Sequence, residues 1–363
     1  MKIGIYNPYL DDIGGGEKYM LSIAEHLAKN NTVDIFWENK KDLEKVAERF
    51  SIDTSKLTLK ENIFSPKIPF LKRLKESAGY DAIFVLSDGS IPVVLSKKLL
   101  VHFQQPFPNI GPDFKNNLKK IRVNSFFCNS NYTKRFIDKE FGINSRVLYP
   151  PVEIKAKNTK KENIILNVGR FRVWDVTTKT GTERKEIMDY KKQSVMVDVF
   201  KQMVDKGLKD WKFVLAVSVN EDESKIFEEF KKSTEGYPVE FLVNEKNNDL
   251  WDIYSKAKIY WHASGFGEDL DNHPEFAEHF GISTVEAMGA GAVPVVINAG
   301  GQKEIVENGK NGFLWDTLEE LRSKTLELIS SKVLMDKLSL RSKERAKDFS
   351  KDKFYQGISG MIL

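Results

Sequence analysis

The segment Glu278-His279-Phe280-Gly281-Ile282-Ser283-Thr284-Val285-Glu286-Ala287-Met288-Gly289-Ala290-Gly291 sets two carboxylates around a turn and a helix start. Gly281 marks the turn, Ser283 and Thr284 are residues that begin helices well, and Glu286 falls in the first turns of the helix that follows. The amides of Ile282, Ser283 and Thr284 would then form an anion site, because the positive end of the helix dipole favours a phosphate. Two carboxylates beside such amides are poor company for phosphate alone. Glu278 and Glu286 are better read as acceptors of hydrogen bonds from sugar hydroxyls, so a sugar joined to a diphosphate suits the whole segment. Taken singly, each acid has a plainer reading, Glu278 as a cap and Glu286 as a surface residue.

Other constellations carry less. Gly14, Gly15 and Gly16 follow an apolar run and open a helical stretch, where bare backbone lets a phosphate approach the helix start. A plain strand-to-helix turn needs the same glycines. The dinucleotide fingerprint requires Gly-x-Gly-x-x-Gly, and its third glycine is missing, which argues against a dehydrogenase although Glu38 follows the second apolar run. Glu268-Asp269-Leu270-Asp271 contains an Asp-x-Asp triplet of the kind that holds a divalent ion, but such triplets arise readily by chance. His262, His273 and His279 lack ligand spacing on one helix face, and no metal is expected. The single cysteine, Cys128 in Ser125-Phe126-Phe127-Cys128, reads as a buried apolar residue.

Parallel strands followed by helices are the elements that would present these residues. Apolar runs at Lys2 to Asn7, Thr32 to Trp37, Ala82 to Leu86, Leu99 to Phe103, Ser125 to Cys128 and Arg146 to Tyr149 alternate with helical or polar stretches. Tyr149-Pro150-Pro151 breaks the pattern, and Lys155 to Glu162 is charged and structure-poor. Strands then resume at Asn163 to Val168, Lys212 to Val217, Val239 to Val243, Ile259 to His262, Val293 to Ile297 and Gly312 to Leu314. This pattern predicts an α/β chain of two Rossmann-like lobes with ligands at the carboxyl ends of the strands, in a cleft between the lobes. The lobes are placed at 1–154 and 155–340, with a helical end at 341–363 that folds back on the first.

Composition sets the outer limits. With 363 residues, 41% hydrophobic and 30% charged, the chain is an ordinary globular protein rather than a disordered or coiled-coil one. No apolar stretch approaches the roughly 18 residues of a membrane span, and no secretory leader is apparent, so a cytoplasmic protein is expected. Residues 1–150 hold 23 Lys and Arg against 17 Asp and Glu, so the first lobe is the basic one. Its densest run, Lys67 to Lys75, interleaves cations with Ile68, Phe70, Leu71 and Leu74, as a segment lying on an anionic membrane would; a solvated amphipathic helix has the same pattern. No nucleic-acid-binding signature accompanies the modest pI of 8.7.

The residues quoted above resemble the glycosyltransferases of family 4. Glu278 and Glu286 stand at that family's Glu-x7-Glu spacing, within surroundings similar to its own. The resemblance runs over nearly the whole chain, through the glycines at 14 to 16, Ser130-Asn131-Tyr132-Thr133, Tyr149-Pro150-Pro151-Val152, Asn167-Val168-Gly169-Arg170-Phe171 and Gly300-Gly301-Gln302-Lys303-Glu304-Ile305-Val306. It implies the GT-B fold, two Rossmann-like lobes whose parallel sheets face each other across a cleft. It also implies that Glu286 binds the nucleotide ribose, that Glu278 contacts the transferred sugar, and that Arg170 and a following lysine hold the diphosphate. Gly15, Gly16, Gly281, Ile282, Ser283 and Thr284 would complete the donor site. Lys191 has the family's spacing to a helix phenylalanine, Phe200, with Lys192 its rival. His102 resembles the histidine that family members present to the reacting sugar, although a histidine at a strand end often serves only local hydrogen bonds. The sequence departs from the family in a polar insertion at 173–190, containing Lys179, Arg184 and Lys185, which reads either as an acceptor loop or lid or as an inert excursion.

The resemblance implies a retaining glycosyltransferase that moves a hexose from a nucleoside diphosphate sugar to a glycan or lipid-linked acceptor. Sugar transfer separates an oxocarbenium-like centre from a diphosphate that gains charge, and fixed cations with helix-end amides stabilise that leaving group without a metal or other cofactor. Attack on the same face, with the leaving phosphate helping to deprotonate the acceptor, accounts for retention. A sugar-nucleotide epimerase of similar fold and a non-catalytic sugar-nucleotide-binding protein are the alternatives; the presence of both Arg170 and Lys191 favours catalysis. The expected partners are the nucleotide sugar, the acceptor and an anionic membrane surface, with the enzyme peripheral to it.

Overall fold

The computed structural model describes residues 1–12, 14–108, 118–176 and 186–362. The chain divides into two compact units, Met1–Pro151 with Phe349–Leu363, and Val152–Asp348. The second unit thus runs past the expected limit at 340.

In the first unit the strands are β1 (Lys2–Tyr6), β2 (Thr32–Phe36), β3 (Leu57–Lys60), β4 (Ala82–Leu86), β5 (Lys98–Phe103), β6 (Ser125–Cys128) and β7 (Arg146–Val147). Among the described residues, the helices α1 (Gly15–Leu27), α2 (Lys40–Phe50), α3 (Phe70–Ser77) and α4 (Asn131–Phe141) lie between them in sequence. All the strand pairs are parallel, in the order β3-β2-β1-β4-β5-β6-β7. The central strand β4 is an unbroken apolar run, and β5 is buried from Leu99 to Phe103, because both faces are covered. β3 escaped the sequence pattern because it is an edge strand with no buried residue in Leu57–Lys60.

The second unit contains β8 (Glu162–Arg170), β9 (Val173–Val176), β10 (Glu186–Asp189), β11 (Lys212–Ser218), β12 (Val239–Val243), β13 (Ala257–His262), β14 (Val293–Ile297) and β15 (Phe313–Trp315). Its helices are α5 (Gln193–Asp205), α6 (Ser224–Lys232), α7 (Asn247–Lys256), α8 (Ile282–Gly289), α9 (Gln302–Ile305), α10 (Leu318–Ser330) and α11 (Lys332–Ala346). The six-stranded parallel sheet has the order β12-β11-β8-β13-β14-β15. The described ends of the 173–190 insertion, β9 and β10, pair as an antiparallel ribbon; its Lys179, Arg184 and Lys185 lie outside the described residues.

In both units the strand order reverses beside the first strand, at β1/β4 and at β8/β13. Helices that cross to opposite faces of a parallel sheet leave a crevice at such a point, and ligands bind there at the carboxyl ends of the strands. The charged stretch expected to be loose is tied down: Lys157 donates its backbone N–H to Ser255 Oγ at 2.8 Å, and the ammonium of half-buried Lys161 donates to the carbonyls of Ala257 and Ala290, both at 2.7 Å. The final helix, α12 (Lys351–Ile362), packs Phe354, Tyr355, Ile358 and Ile362 into the core of the first unit with Ile23, Leu27 and Val33. Among the described residues, no helix is long and apolar enough to cross a membrane.

Candidate active site

The reversal point of the second sheet is where the expected donor-site residues gather. β13 ends at His262, whose buried Nε2 lies 3.1 Å from Glu278 Oε2. The Lys191 ammonium donates to the same oxygen at 2.8 Å. Lys191 comes from the turn before α5 and runs past the end of β8, where a methyl on Gly169 would sit 3.7 Å from its Cγ. Arg170, the last residue of β8, is half-buried beside it in register with Ser218. Both partners of the Lys191–Glu278 pair are mostly sheltered, with side chains 19% and 22% exposed. Burial alone would raise the carboxyl's pKa, but the charge of Lys191 and the hydrogen bond from His262 hold Glu278 well below the ordinary carboxyl range. It is therefore an anion placed next to a cation at the mouth of the crevice.

Backbone geometry holds Glu278 in place. The Gly301 amide donates to the Glu278 carbonyl at 2.8 Å. A methyl on Gly300 would stand 2.3 Å from that carbonyl, and one on Gly301 would stand 2.5 Å from the His279 carbonyl. The paired glycines are required because two backbones touch there. Gly281 has φ +117 and is pressed against Gln302, so no side chain fits at the turn.

α8 begins directly after Gly281 with no side-chain cap. The Thr284 amide donates to the Gly281 carbonyl at 3.1 Å and the Thr284 side chain is buried, which corrects the expectation that this amide faces a ligand. Ile282 and Ser283 are half-buried at the helix start. Two buried tyrosines that the sequence reading did not single out brace this helix. Tyr260 on β13 bonds Ser283 Oγ at 2.7 Å, and Tyr254 on α7 donates to Glu286 Oε2 at 3.0 Å. They were hidden because strand and helix tyrosines in apolar runs look like core, and only the tertiary fold turns their hydroxyls toward α8.

The neighbouring residues 190 and 192 clasp the segment between β13 and Glu278. The Tyr190 hydroxyl donates to the Glu275 carbonyl at 2.8 Å, and Lys192, with φ +54, pairs with Glu268. The Asp-x-Asp triplet lies in this segment, where Asp269 accepts from the Asn272 amide at 3.3 Å and from its side chain at 2.7 Å in a local turn. Among the described residues, no group of three or more His, Cys, Asp or Glu is arranged to hold a metal.

Gly15, Gly16 and His102 belong to the first unit. Gly15 and Gly16 open α1, and a methyl on Gly16 would make only ordinary contacts with Leu86 and Gln104, at 3.4 and 3.6 Å. Packing therefore does not require glycine at 16. His102 departs from its expected role as a sugar-facing residue, since it is wholly buried. Its ring stacks on Tyr19, with centroids 4.0 Å apart, and both nitrogens face polar partners of the same unit. Cys128 is buried against Ser145, and its thiol is pushed up to about 12, as expected of an inert core residue.

Residues 185–349 match the model of the family described as glycosyl transferases group 1. A GDP-Man:Man(3)GlcNAc(2)-PP-Dol alpha-1,2-mannosyltransferase of Dictyostelium discoideum is 24% identical over 250 residues, covering 65% of this chain and 45% of that protein. The enzyme of the same name from Xenopus laevis is 27% identical over 218 residues, 55% of this chain and 39% of the relative. The chain thus matches less than half the length of these relatives. Among solved structures, Anabaena Alr3699/HepE in complex with UDP superposes with a TM-score of 0.72 at 17% identity over 99% of each chain. A glycosyltransferase from Rickettsia africae gives 0.72 at 15% identity, over 99% of this chain and 97% of that one. Residues 185–349 are thus similar to the glycosyl transferases group 1, on a chain with the two-lobe α/β fold of the GT-B glycosyltransferases.

Proposed function

We propose that this protein transfers a hexose, with retention of configuration, from a nucleoside diphosphate sugar to a glycan or lipid-linked acceptor. The observation that carries this reading is the convergence of Lys191, Glu278 and His262 at the β8/β13 reversal point, next to the start of α8. Lys191 and Arg170 would meet the charge that grows on the departing diphosphate, and the amides at Ile282 and Ser283 would add the helix dipole. Glu278 would accept hydroxyls of the sugar, and Glu286, held by Tyr254, hydroxyls of the ribose. Mannose is the favoured sugar, since the mannosyltransferases named above are similar over more than half of this chain.

The acceptor side is assigned to the first unit, which would dock on an anionic membrane through α3 and the residues before it. Phe70 and Leu71 at the start of that helix are 53% and 77% exposed, beside Lys67 and Lys75. No metal is assigned to the reaction, because cations and helix-end amides occupy the role a metal would take.

The test is incubation with GDP-mannose, UDP-glucose and further nucleotide sugars, with and without lipid extract, reading nucleoside diphosphate release and the anomeric configuration of the product. Release with one nucleotide sugar that rises with lipid extract, survives EDTA and gives a retained anomer is expected. Release that EDTA abolishes and magnesium or manganese restores would return the Asp269 and Asp271 triplet to consideration. Interconversion of the sugar without its release would favour an epimerase.

A further inference from the structure

His102 lies at the end of β5 with no exposed surface, its ring stacked on Tyr19 at a centroid distance of 4.0 Å and alongside Phe127 at 4.8 Å. Its Nδ1 is 3.2 Å from the Phe127 carbonyl oxygen and its Nε2 is 2.8 Å from the end of the Gln104 side-chain amide that is placed as Oε1. A carbonyl oxygen can only accept, so Nδ1 must carry a proton. Burial holds the imidazole down to about 4, so near neutral pH the ring has one proton to give. Nε2 is then a lone pair, and the group facing it must donate. The two ends of a glutamine amide have the same shape, so hydrogen-bond balance decides which end faces the ring. The balance puts the NH2 group there, which turns the amide end for end from its placed orientation. The Gln104 carbonyl oxygen is thereby turned away from His102.

That oxygen is well placed for a ligand. Gln104 is only half-buried, its backbone carbonyl is held by Asn129 Nδ2 at 2.7 Å, and its Cγ lies 3.6 Å from the point a methyl on Gly16 would occupy. It therefore stands at the carboxyl edge of the first sheet, against the glycine turn that opens α1. We propose that Gln104 contacts the substrate, its side-chain oxygen accepting a hydrogen bond from a sugar hydroxyl, and that His102 is the positioning residue that sets the amide's orientation. This deepens the transferase reading and rests on it for the identity of the ligand.

Two measurements test it. In the full-length protein labelled with 15N-histidine, and with the His102→Asn variant used to assign the signal, His102 should show a neutral ring protonated at Nδ1. A ring protonated at Nε2, or at both nitrogens at neutral pH, would overturn the proposal without any substrate being known. Gln104→Glu, which has no N–H to give, should shift the His102 signal toward an Nε2-protonated or doubly protonated ring, a response that a residue serving only to fill space would not produce. Gln104→Leu should fold normally by circular dichroism and lose about tenfold in kcat/KM, the worth of one hydrogen bond of about 1.4 kcal/mol. If slow hydrolysis of the nucleotide sugar by water falls equally, the hydroxyl belongs to the donor; if only transfer to added acceptor falls, it belongs to the acceptor. A folded Gln104→Leu protein with unchanged transfer rules the contact out. Should no nucleotide sugar be turned over by the wild type, the transferase reading fails, while the tautomer still decides the His102–Gln104 arrangement.

Discussion

Lys191 and Lys192 are adjacent and chemically identical, and the fold gives them different neighbours. Lys191 reaches Glu278 at the reversal point, whereas Lys192 pairs with Glu268 in the segment after β13. The sequence left open which of them would meet phosphate; the proposed role goes to Lys191, whose stem passes the end of β8 at Gly169 and whose ammonium reaches Glu278. Lys191→Ala should lower turnover about a hundredfold or more with a smaller effect on donor binding, as expected of a cation that stabilises charge growing in the transition state. Lys192→Ala should lose much less, and single-turnover kinetics on the two variants compares them. The same pair makes a statement about pH. Glu278 is held below its unfolded value, near 4.5, so its contribution to stability is present above that value and lost as pH falls through the folded one. Urea unfolding should therefore show wild-type stability dropping below about pH 5 more steeply than that of Lys191→Ala.

At the scale of elements, what aims the site is the contact between the glycine pair before α9 and the loop before α8. Gly301 has an ordinary φ of −70, so its need for glycine comes from the close approach of the next backbone, 2.5 Å to the His279 carbonyl and 2.5 and 2.6 Å to the Cα and carbonyl oxygen of Phe280. Gly301→Ala must push that backbone away and move Glu278 with it, at a cost of about 1 to 3 kcal/mol for the overpacking. Thermal unfolding should register that loss, and calorimetry with the donor should register a weaker complex, while circular dichroism stays unchanged. α3 raises a separate question. Lys72 is tied to Glu61 at 2.7 Å and Arg73 donates to the Ile63 carbonyl at 3.0 Å, so these two cations are partly committed to the protein itself. If the helix docks on a bilayer, Phe70 and Leu71 with Lys67 and Lys75 should carry it. Co-sedimentation with anionic liposomes should then fade with added salt and be lost in a Lys67→Glu, Lys75→Glu, Leu71→Ser protein. Salt-independent or unchanged sedimentation would leave α3 as a solvated face.

At the scale of the whole molecule, the chain closes on itself: its last helix completes the core of the unit in which it began. Phe354 is 2% exposed within that core and packs edge-on against Tyr19, with centroids 4.8 Å apart. Phe354→Ala should cost about 3 to 5 kcal/mol, and the loss should appear in the first unit, as faster hydrogen exchange at the amides of β1 and β2 than at those of β8 and β11. Much of this architecture was legible in the sequence, because strands buried on both faces are continuous apolar runs and parallel strands need helical crossovers; Ala82–Leu86 and Val293–Ile297 stand where those runs placed them. The turn at Gly281 and the helix start that places Glu286 were legible as well, since helix-start chemistry is local and fixed by neighbours along the chain. Edge strand β3 was not legible, because its apolar signal is only Leu57 and Leu59, half-buried in a four-residue alternation too short to stand out. Nor were the links that depend on distant parts of the chain meeting: Tyr254 on Glu286, Lys191 on Glu278 across 87 positions, and the burial of His102 against Tyr19 and Phe127. The sequence by itself determined which residue types stand at turns and strand ends, because backbone preferences and apolar periodicity act over a few residues. Only the tertiary structure decided which lysine faces which acid and that Gln104, rather than His102, lies partly exposed at the edge of the first sheet, because burial and hydrogen-bond balance are set by packing between segments far apart in the chain.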